Sequence, residues 1–126
     1  MRGANYVVGV ECVDMRRLDK FIPEILKYTN KPRIYLKIDT QGYDVNVIKG
    51  ADGCINDILG FQSELSVTRI YDDTPDYIDA LMYYRNIGYE LSGIYPITRD
   101  NDTLLLIEFD CFLIRRDINF PIGKSA

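Results

Sequence analysis

The stretch Ile34-Tyr35-Leu36-Lys37-Ile38-Asp39-Thr40-Gln41-Gly42 decides the fold. Residues 34–39 form a short, largely apolar run that stops at the polar turn 40–42. Beyond the turn, apolar residues recur at helical spacing in one stripe, which consists of Val45, Ile48, Ala51, Ile55, Ile58 and Leu59. A short strand, a tight turn and an amphipathic helix form the crossover unit of a parallel sheet. The sequence therefore predicts an α/β domain.

Upstream of this unit, the sequence predicts one further strand and one further helix. The run from Tyr6 to Val13 is strand-like. Apolar residues then recur at helical spacing, at Leu18, Phe21, Ile22, Ile25 and Leu26. The run Asn30-Lys31-Pro32 is expected to end that helix, because the residue before a proline avoids the helical conformation.

Downstream of the unit, the predicted strand Phe61 to Val67 leads to another helix. Thr74 is the expected N-cap of this helix, and Pro75 occupies the favoured first helical position. Gly88 is placed to close the helix in a left-handed turn. The sequence therefore predicts a helix bounded by Thr74 and Gly88.

The C-terminal part of the chain predicts a hairpin. The runs Tyr89 to Ile97 and Leu104 to Ile114 are strand-like, and the polar stretch 99–103 joins them. Two strands with so short a link are expected to pair antiparallel. The predicted sheet is therefore mostly parallel, with an antiparallel strand at its C-terminal end.

Length and composition describe a single globular domain over residues 1–126, with residues 117–126 as a flexible tail. Of the 126 residues, 47% are hydrophobic and 27% are charged, which is ordinary for a soluble protein. The net charge of −4 leaves no basic stripe, so nucleic acid is not expected as a partner. No apolar run is long enough to span a bilayer, and the N-terminus lacks a signal-peptide pattern. We therefore expect no membrane association and a cytoplasmic location.

The cysteines and the missing histidine limit the possible chemistry. Cys12, Cys54 and Cys111 are odd in number and far apart, which favours buried reduced thiols over a disulfide framework. The sequence contains no histidine. This excludes Ser-His and Cys-His catalysis and a mixed Cys/His zinc site.

Two predicted strands contain polar residues, although strands that are buried on both faces of a parallel sheet are nearly continuous apolar runs. Lys37 and Asp39 lie two residues apart and point to one face, with Asp39 at the carboxyl end, where open α/β sheets bind ligands. Glu64 lies in mid-strand between Gln62 and Ser66, which share its face. A carboxylate there is costly to bury unless it is paired or faces a wet cleft. Asp39 and Glu64 are therefore candidate functional residues.

Structural explanations exist for each of these residues. Asp39 or Thr40 could cap the following helix. Lys37 could pair with Asp39 or with Glu64, or it could extend its charged end to solvent. Glu108 and Asp110 share a face of the last strand, where a solvated face near the sheet edge is the better explanation. The carboxylates at 39, 64 and 110 could gather a hard cation, but we predict no metal site.

No glycine-rich turn for a nucleotide cofactor is visible, because Gly3 and Gly9 are isolated. Several segments nevertheless resemble the FkbM-type methyltransferases, which carry a lysine-isoleucine-aspartate signature. The resemblance rests on Leu36 to Asp44, Val47 to Ala51, Arg17-Leu18-Asp19, Gln62 to Ser66, Ile70-Tyr71, Asn86 to Leu91 and Ile107 to Asp110. It covers residues 11 to 116, and the order of the segments is more specific than any one of them.

The resemblance implies a class I, Rossmann-like methyltransferase fold, a three-layer sandwich in which this chain supplies the fourth to seventh strands. It also implies O-methyl transfer from S-adenosylmethionine to a small-molecule or glycan hydroxyl, on a sugar or natural-product scaffold. Without histidine, the base is expected to be Asp39 or Glu64, with Lys37 orienting or tuning them. Gln41 and Gly42 are the expected cofactor contacts.

The cofactor-binding half of such a domain is missing from the resemblance. We therefore expect weak binding of S-adenosylmethionine by this chain alone, and activity together with a complementary N-terminal half. The alternative is a non-catalytic α/β module that uses its cleft or exposed edge for association, for example as a homo-oligomer.

Overall fold

A four-stranded sheet and three α-helices form the fold, and the computed structural model describes residues 6–30, 32–70 and 72–117. In chain order the elements are α1 (Leu18–Leu26), β1 (Ile34–Lys37), α2 (Asp44–Lys49), a 3-10 helix (Asp52–Asp57), β2 (Ile58–Ser66), α3 (Tyr77–Asn86), β3 (Tyr89–Arg99) and β4 (Leu106–Arg115). The predicted α/β organisation is confirmed. No helix within the described ranges is long and apolar enough to cross a membrane.

The strands lie in the order β1-β2-β4-β3. β1 and β2 pair parallel, with Leu36 beside Phe61, as the predicted crossover unit requires. β4 pairs antiparallel with both β2 and β3, so the predicted C-terminal hairpin is confirmed. The same order corrects one expectation, because Glu108 and Asp110 lie on a strand inside the sheet and not near its edge.

One face of the sheet carries the core. Alternate residues of the two inner strands are buried there, and all three α-helices contribute to the same cluster, which includes Ile22, Val45, Ile48, Phe61, Leu65, Ala80, Tyr84, Phe109, Cys111 and Leu113. Phe61 packs edge-on against the rings of Tyr84 and Tyr89, with ring centroids 4.9 Å apart in both pairs. Tyr84 therefore anchors α3 to the sheet within the core.

The opposite face, which we call the open face, carries side chains that are partly or largely exposed. Tyr35, Lys37, Gln62, Glu64, Asp110 and Phe112 belong to it. The helices of the described ranges all pack into the core cluster on the other side. The described part of the chain therefore shows two layers, and not the expected three-layer sandwich.

Two predicted elements differ from the structure. Residues 6–13 are not a strand, and Tyr6, Val7, Val8, Val10 and Val13 are each at least 80% exposed. A strand needs a neighbour for its backbone hydrogen bonds, and this segment lies beside none. The helix predicted from Val45 ends at Lys49, a 3-10 turn follows, and Ile58 and Leu59 already belong to β2.

The start of α3 also differs from the prediction. Asp76 and not Thr74 is the N-cap, because an Asp76 carboxylate oxygen accepts the Ile78 N–H at 2.8 Å. Pro75 consequently precedes the helix. The left-handed turn at Gly88 is confirmed by its φ of 98°. Of the predicted tail, only Asp117 lies within the described residues, and its carboxylate pairs with Arg115 at 2.5 Å.

Candidate functional site

The candidate site lies at the carboxyl ends of β1 and β2. The two strands run parallel, and the Ile38 N–H donates to the Gln62 carbonyl at 3.0 Å just beyond the end of β1. Asp39, which follows Ile38, is exposed, whereas Glu64 is half-buried. The charge of Asp39 contributes to the raised pKa of Glu64, so the structure brings the two predicted carboxylates into one electrostatic environment.

Glu64 is surrounded by other acids. It lies directly opposite Asp110 in the antiparallel ladder, and Glu108 lies opposite Ser66. Partial burial, followed by the charges of Glu108, Asp110, Asp39 and Asp44, raises the pKa of Glu64 above its usual value. No salt bridge formed within the described ranges includes Glu64. A carboxylate with a raised pKa and no ion pair is a stronger proton acceptor than an ordinary surface glutamate.

Lys37 stands apart from these acids. It is exposed on the open face and lies beside Gln62 across the parallel ladder. The salt bridges found in the described part of the chain do not include Lys37, so neither of its expected pairings with Asp39 and Glu64 is formed. Its role in orienting an acid stays a prediction.

Helix capping does not explain the acid at position 39. The N-cap residue of α2 is Tyr43, and no side chain caps this helix end. Thr40 instead donates from both its backbone N–H, at 3.2 Å, and its hydroxyl to one Asp44 carboxylate oxygen. The capping explanation for Asp39 and Thr40 is therefore wrong.

Asp44 is an acid of this site that the sequence pattern does not predict. Only 2% of it is exposed, and its second carboxylate oxygen accepts the Ser63 hydroxyl at 2.8 Å and the Glu64 N–H at 3.0 Å. The Ser63 and Tyr84 hydroxyls lie 3.0 Å apart, which links this carboxylate to α3. We call Thr40, Asp44, Ser63, the Glu64 N–H and Tyr84 the Asp44 network. Four donors offset the cost of burying the charge.

The Asp44 network determines where the backbone of Glu64 lies. The turn that brings Asp44 to β2 contains two residues with positive φ, Gln41 at 51° and Gly42 at 98°. The conformation at Gly42 is one that side chains rarely adopt, which confirms the tight turn expected there. The tight turn places the buried Asp44 carboxylate where it accepts the Glu64 N–H and so helps to hold Glu64 in position.

The cavities around this turn decide whether a cofactor fits. A cavity of about 10 Å³ lies beside Gly42, Asp44, Glu64 and Thr74. Two larger cavities have different linings. One of about 410 Å³ lies at the amino end of β2, and one of about 580 Å³ lies between residues 15–18 and the segment from Tyr43 along α2. Small-molecule sites generally need several hundred cubic ångströms. The described residues at the Gln41-Gly42 turn therefore do not enclose S-adenosylmethionine.

A metal site at this end of the sheet would require several oxygen ligands close together. Within residues 6–30, 32–70 and 72–117, no three Asp, Glu or Cys side chains are grouped so that they could hold a metal ion. The carboxylates of Asp39, Glu64 and Asp110 influence one another electrostatically without forming a ligand set.

Comparison with known families identifies the chain. A family model described as the methyltransferase FkbM domain matches residues 6–91, which is more than half of the 126 residues. This match places the α/β domain among the methyltransferases. The chain belongs to the FkbM methyltransferase family. The match ends at Leu91, so the resemblance noted at Ile107 to Asp110 lies outside it. No curated protein and no solved structure gives a significant match.

Proposed function

We propose that this chain supplies the acceptor side of an O-methyl transfer, in which S-adenosylmethionine is the methyl donor. The proposed acceptor is a hydroxyl on a sugar or a natural-product scaffold. The observation that carries the proposal is Glu64, a half-buried carboxylate two residues before the end of β2, whose pKa is raised by burial and by four neighbouring acids. Family membership supplies the reaction class, and this carboxylate supplies the group that the reaction requires.

Methylation of a hydroxyl oxygen releases the hydroxyl proton, and Glu64 is the proposed acceptor of that proton. A base is most effective when its pKa lies near the working pH, so a glutamate with a raised pKa suits this task. The second candidate base is Asp39, which is exposed and whose charge contributes to the raised pKa of Glu64. Lys37, at the carboxyl end of β1, is proposed to orient or tune these two acids without forming an ion pair with either.

The methyl donor is proposed to contact this chain at one edge only. The backbone of Gln41 and Gly42 is the proposed point of contact. Gly42 adopts a left-handed conformation, and because glycine has no side chain, nothing there obstructs an approaching ligand. The small cavity beside this turn supports the proposal that most of the donor's binding surface comes from elsewhere. A complementary N-terminal half of the same family is the proposed source.

The class I, Rossmann-like architecture is part of the same proposal. It is supported by the strand order β1-β2-β4-β3, with one parallel crossover and an antiparallel strand inserted between β2 and β3. The second helical layer of the three-layer sandwich is proposed to pack on the open face. The three cysteines are free thiols, which supports the proposed cytoplasmic location. Cys54 and Cys111 are buried as expected, whereas Cys12 is exposed, so the expectation of a buried thiol is wrong there.

A non-catalytic interaction module is the second candidate function, and the open face favours it. Tyr35 is about half exposed on β1, which is an edge strand, and Tyr95 packs edge-on against Phe112 on the same face, with ring centroids 5.4 Å apart. Aromatic side chains at an exposed surface are common at protein interfaces. In this alternative, copies of the chain associate through the open face to form a homo-oligomer.

Transfer of a labelled methyl group tests the proposed function. The chain is assayed with labelled S-adenosylmethionine and a panel of sugar hydroxyls, alone and with a complementary N-terminal half. Glu64→Gln is expected to lower kcat/KM by about 10²- to 10⁴-fold, the usual contribution of a general base. Asp39→Asn is expected to reduce turnover to a smaller extent.

The matched control is Glu24→Gln, since Glu24 is exposed on α1 and far in sequence from the site. It is expected to keep wild-type activity. Wild-type turnover in Glu64→Gln would refute the assigned base. A stable oligomer that shows no methyl transfer with the complementary half present would favour the interaction module.

A further inference from the structure

Thr74 is a buried residue whose hydroxyl has no hydrogen-bond partner among the described residues. Only 8% of the residue is exposed, and its Oγ1 atom is fully buried. No other buried side-chain nitrogen or oxygen in the described ranges lacks a partner. Leaving a buried hydroxyl unpaired costs about 1–3 kcal/mol, so native proteins rarely keep one without a reason.

The surroundings of Thr74 point to a ligand. Thr74 lines the cavity of about 10 Å³ at the carboxyl end of β2, together with Gly42, Asp44 and Glu64. A cavity of that size is close to the minimum that holds one water-sized oxygen atom. The sequence predicts Thr74 as the N-cap of α3, but Asp76 is the N-cap in the structure. The Thr74 hydroxyl is therefore not needed to cap the helix.

The chemistry of the cavity wall selects the kind of atom that fits. A threonine hydroxyl both donates and accepts a hydrogen bond. The Asp44 carboxylate and the neighbouring Glu64 disfavour an anion, and a volume of about 10 Å³ has room for about one non-hydrogen atom. A neutral oxygen that carries a proton meets all three conditions.

We propose that Thr74 forms one wall of a binding site for a single hydroxyl-bearing oxygen atom at the carboxyl end of β2. The oxygen belongs either to a water molecule or to the hydroxyl of a bound ligand. The site itself stands without the proposed function. Only the identification of the ligand as the acceptor of methyl transfer rests on that function.

Urea unfolding of Thr74 variants tests the site without any methyl donor. Thr74→Val keeps the shape of the side chain and removes its hydroxyl, whereas Thr74→Ser keeps the hydroxyl. If the hydroxyl binds an oxygen atom, Thr74→Val is expected to unfold at lower urea than wild type, and Thr74→Ser to remain closer to wild type. Thr29→Val is the matched control, because Thr29 is exposed, and it is expected to leave the midpoint unchanged.

The opposite result has a clear physical meaning. A hydroxyl that is buried without a partner destabilises the folded state, so its removal would leave the protein equally stable or more stable. A Thr74→Val midpoint at or above that of wild type would therefore overturn the proposal. Equal losses in Thr74→Val and Thr74→Ser would also overturn it, because the loss would then come from packing and not from the hydroxyl.

A second arm of the experiment identifies the source of the oxygen. Methyl glucoside serves as the hydroxyl-bearing probe, and its effect on the urea midpoint is measured for wild type and Thr74→Val. A stabilisation that appears in wild type and not in Thr74→Val identifies a ligand hydroxyl. Destabilisation by Thr74→Val without any effect of the probe identifies bound water. Both results support the site, and neither depends on whether the chain transfers methyl groups.

Discussion

Asp44 and Glu64 are two carboxylates at the same end of the sheet, and they differ in almost every physical respect. Asp44 lies on the core side, is nearly inaccessible and accepts hydrogen bonds from four donors. Glu64 lies on the open face, is half-buried and has four acids as its electrostatic neighbours. A carboxylate whose oxygens are fully occupied by donors holds structure together, whereas one surrounded by like charges is available for proton transfer.

The two residues are also joined by a hydrogen bond. The Glu64 N–H donates to the Asp44 carboxylate at 3.0 Å, so the buried acid helps to hold the backbone of the proposed base. The comparison therefore separates a positioning residue from a proposed base within one short network. Substitutions at the two positions are expected to affect different properties of the protein.

The largest expected effect is on stability, from Asp44→Ala. The substitution leaves the buried Ser63 hydroxyl and the part-buried Glu64 N–H without their acceptor, and each unsatisfied group costs about 1–3 kcal/mol. Because such costs are not additive, we expect a loss of roughly 3–5 kcal/mol in the free energy of unfolding. Urea denaturation measures this loss.

Asp79→Ala, at an exposed position of α3, is the control and is expected to change stability by about 0.5 kcal/mol or less. Asp44→Asn retains one acceptor oxygen and is expected to fall between the two. A stability loss of less than about 1 kcal/mol in Asp44→Ala would show that the hydrogen bonds of the Asp44 carboxylate contribute little to the stability of the fold.

A smaller effect, of opposite sign, is expected from Glu64→Gln. The pKa of Glu64 is raised in the folded protein, so the folded state holds this proton to higher pH than the unfolded chain does. The associated stability is complete below the usual glutamate range and is lost as pH rises through the folded pKa. Glutamine does not ionise, and it also removes the like charge opposite Asp110.

Unfolding midpoints measured from about pH 4 to about pH 7 check this linkage. Near neutral pH, Glu64→Gln is expected to be more stable than wild type by about 0.2–1 kcal/mol, the usual scale of a cross-strand charge pair. The advantage is expected to shrink toward acid pH, where Glu64 is protonated in wild type. A lower stability than wild type near neutral pH would contradict the acidic environment assigned to Glu64.

Local patterns in the sequence predicted much of the fold. The apolar stripe of α1, the strand before Asp39, the left-handed turn at Gly88 and the C-terminal hairpin all follow from short-range spacing. The failures have a common cause. The strand order that places β4 inside the sheet is a long-range property, and residues 6–13 resemble a strand but have no neighbour to pair with.

The candidate site was predictable in part. Asp39 and Glu64 are predictable from the sequence, because each is an acid within a predicted strand. Asp44 gave no comparable signal, because an acid in the first turn of a helix is expected for electrostatic reasons alone. The donors that bury it come from Thr40, four residues before it, and from Ser63 and Glu64, which are distant in sequence. Thr74 was assigned to a cap that its neighbour Asp76 provides.

The pH dependence of methyl transfer tests the central claim, that Glu64 accepts the acceptor's proton. Because the base must be ionised, kcat/KM of wild type is expected to rise with pH and to level off above a pKa higher than that of an ordinary glutamate. In Glu64→Gln the rate is expected to be low and this rising limb to disappear, whereas Glu24→Gln keeps it. A rising limb of unchanged position in Glu64→Gln would show that another group takes the proton.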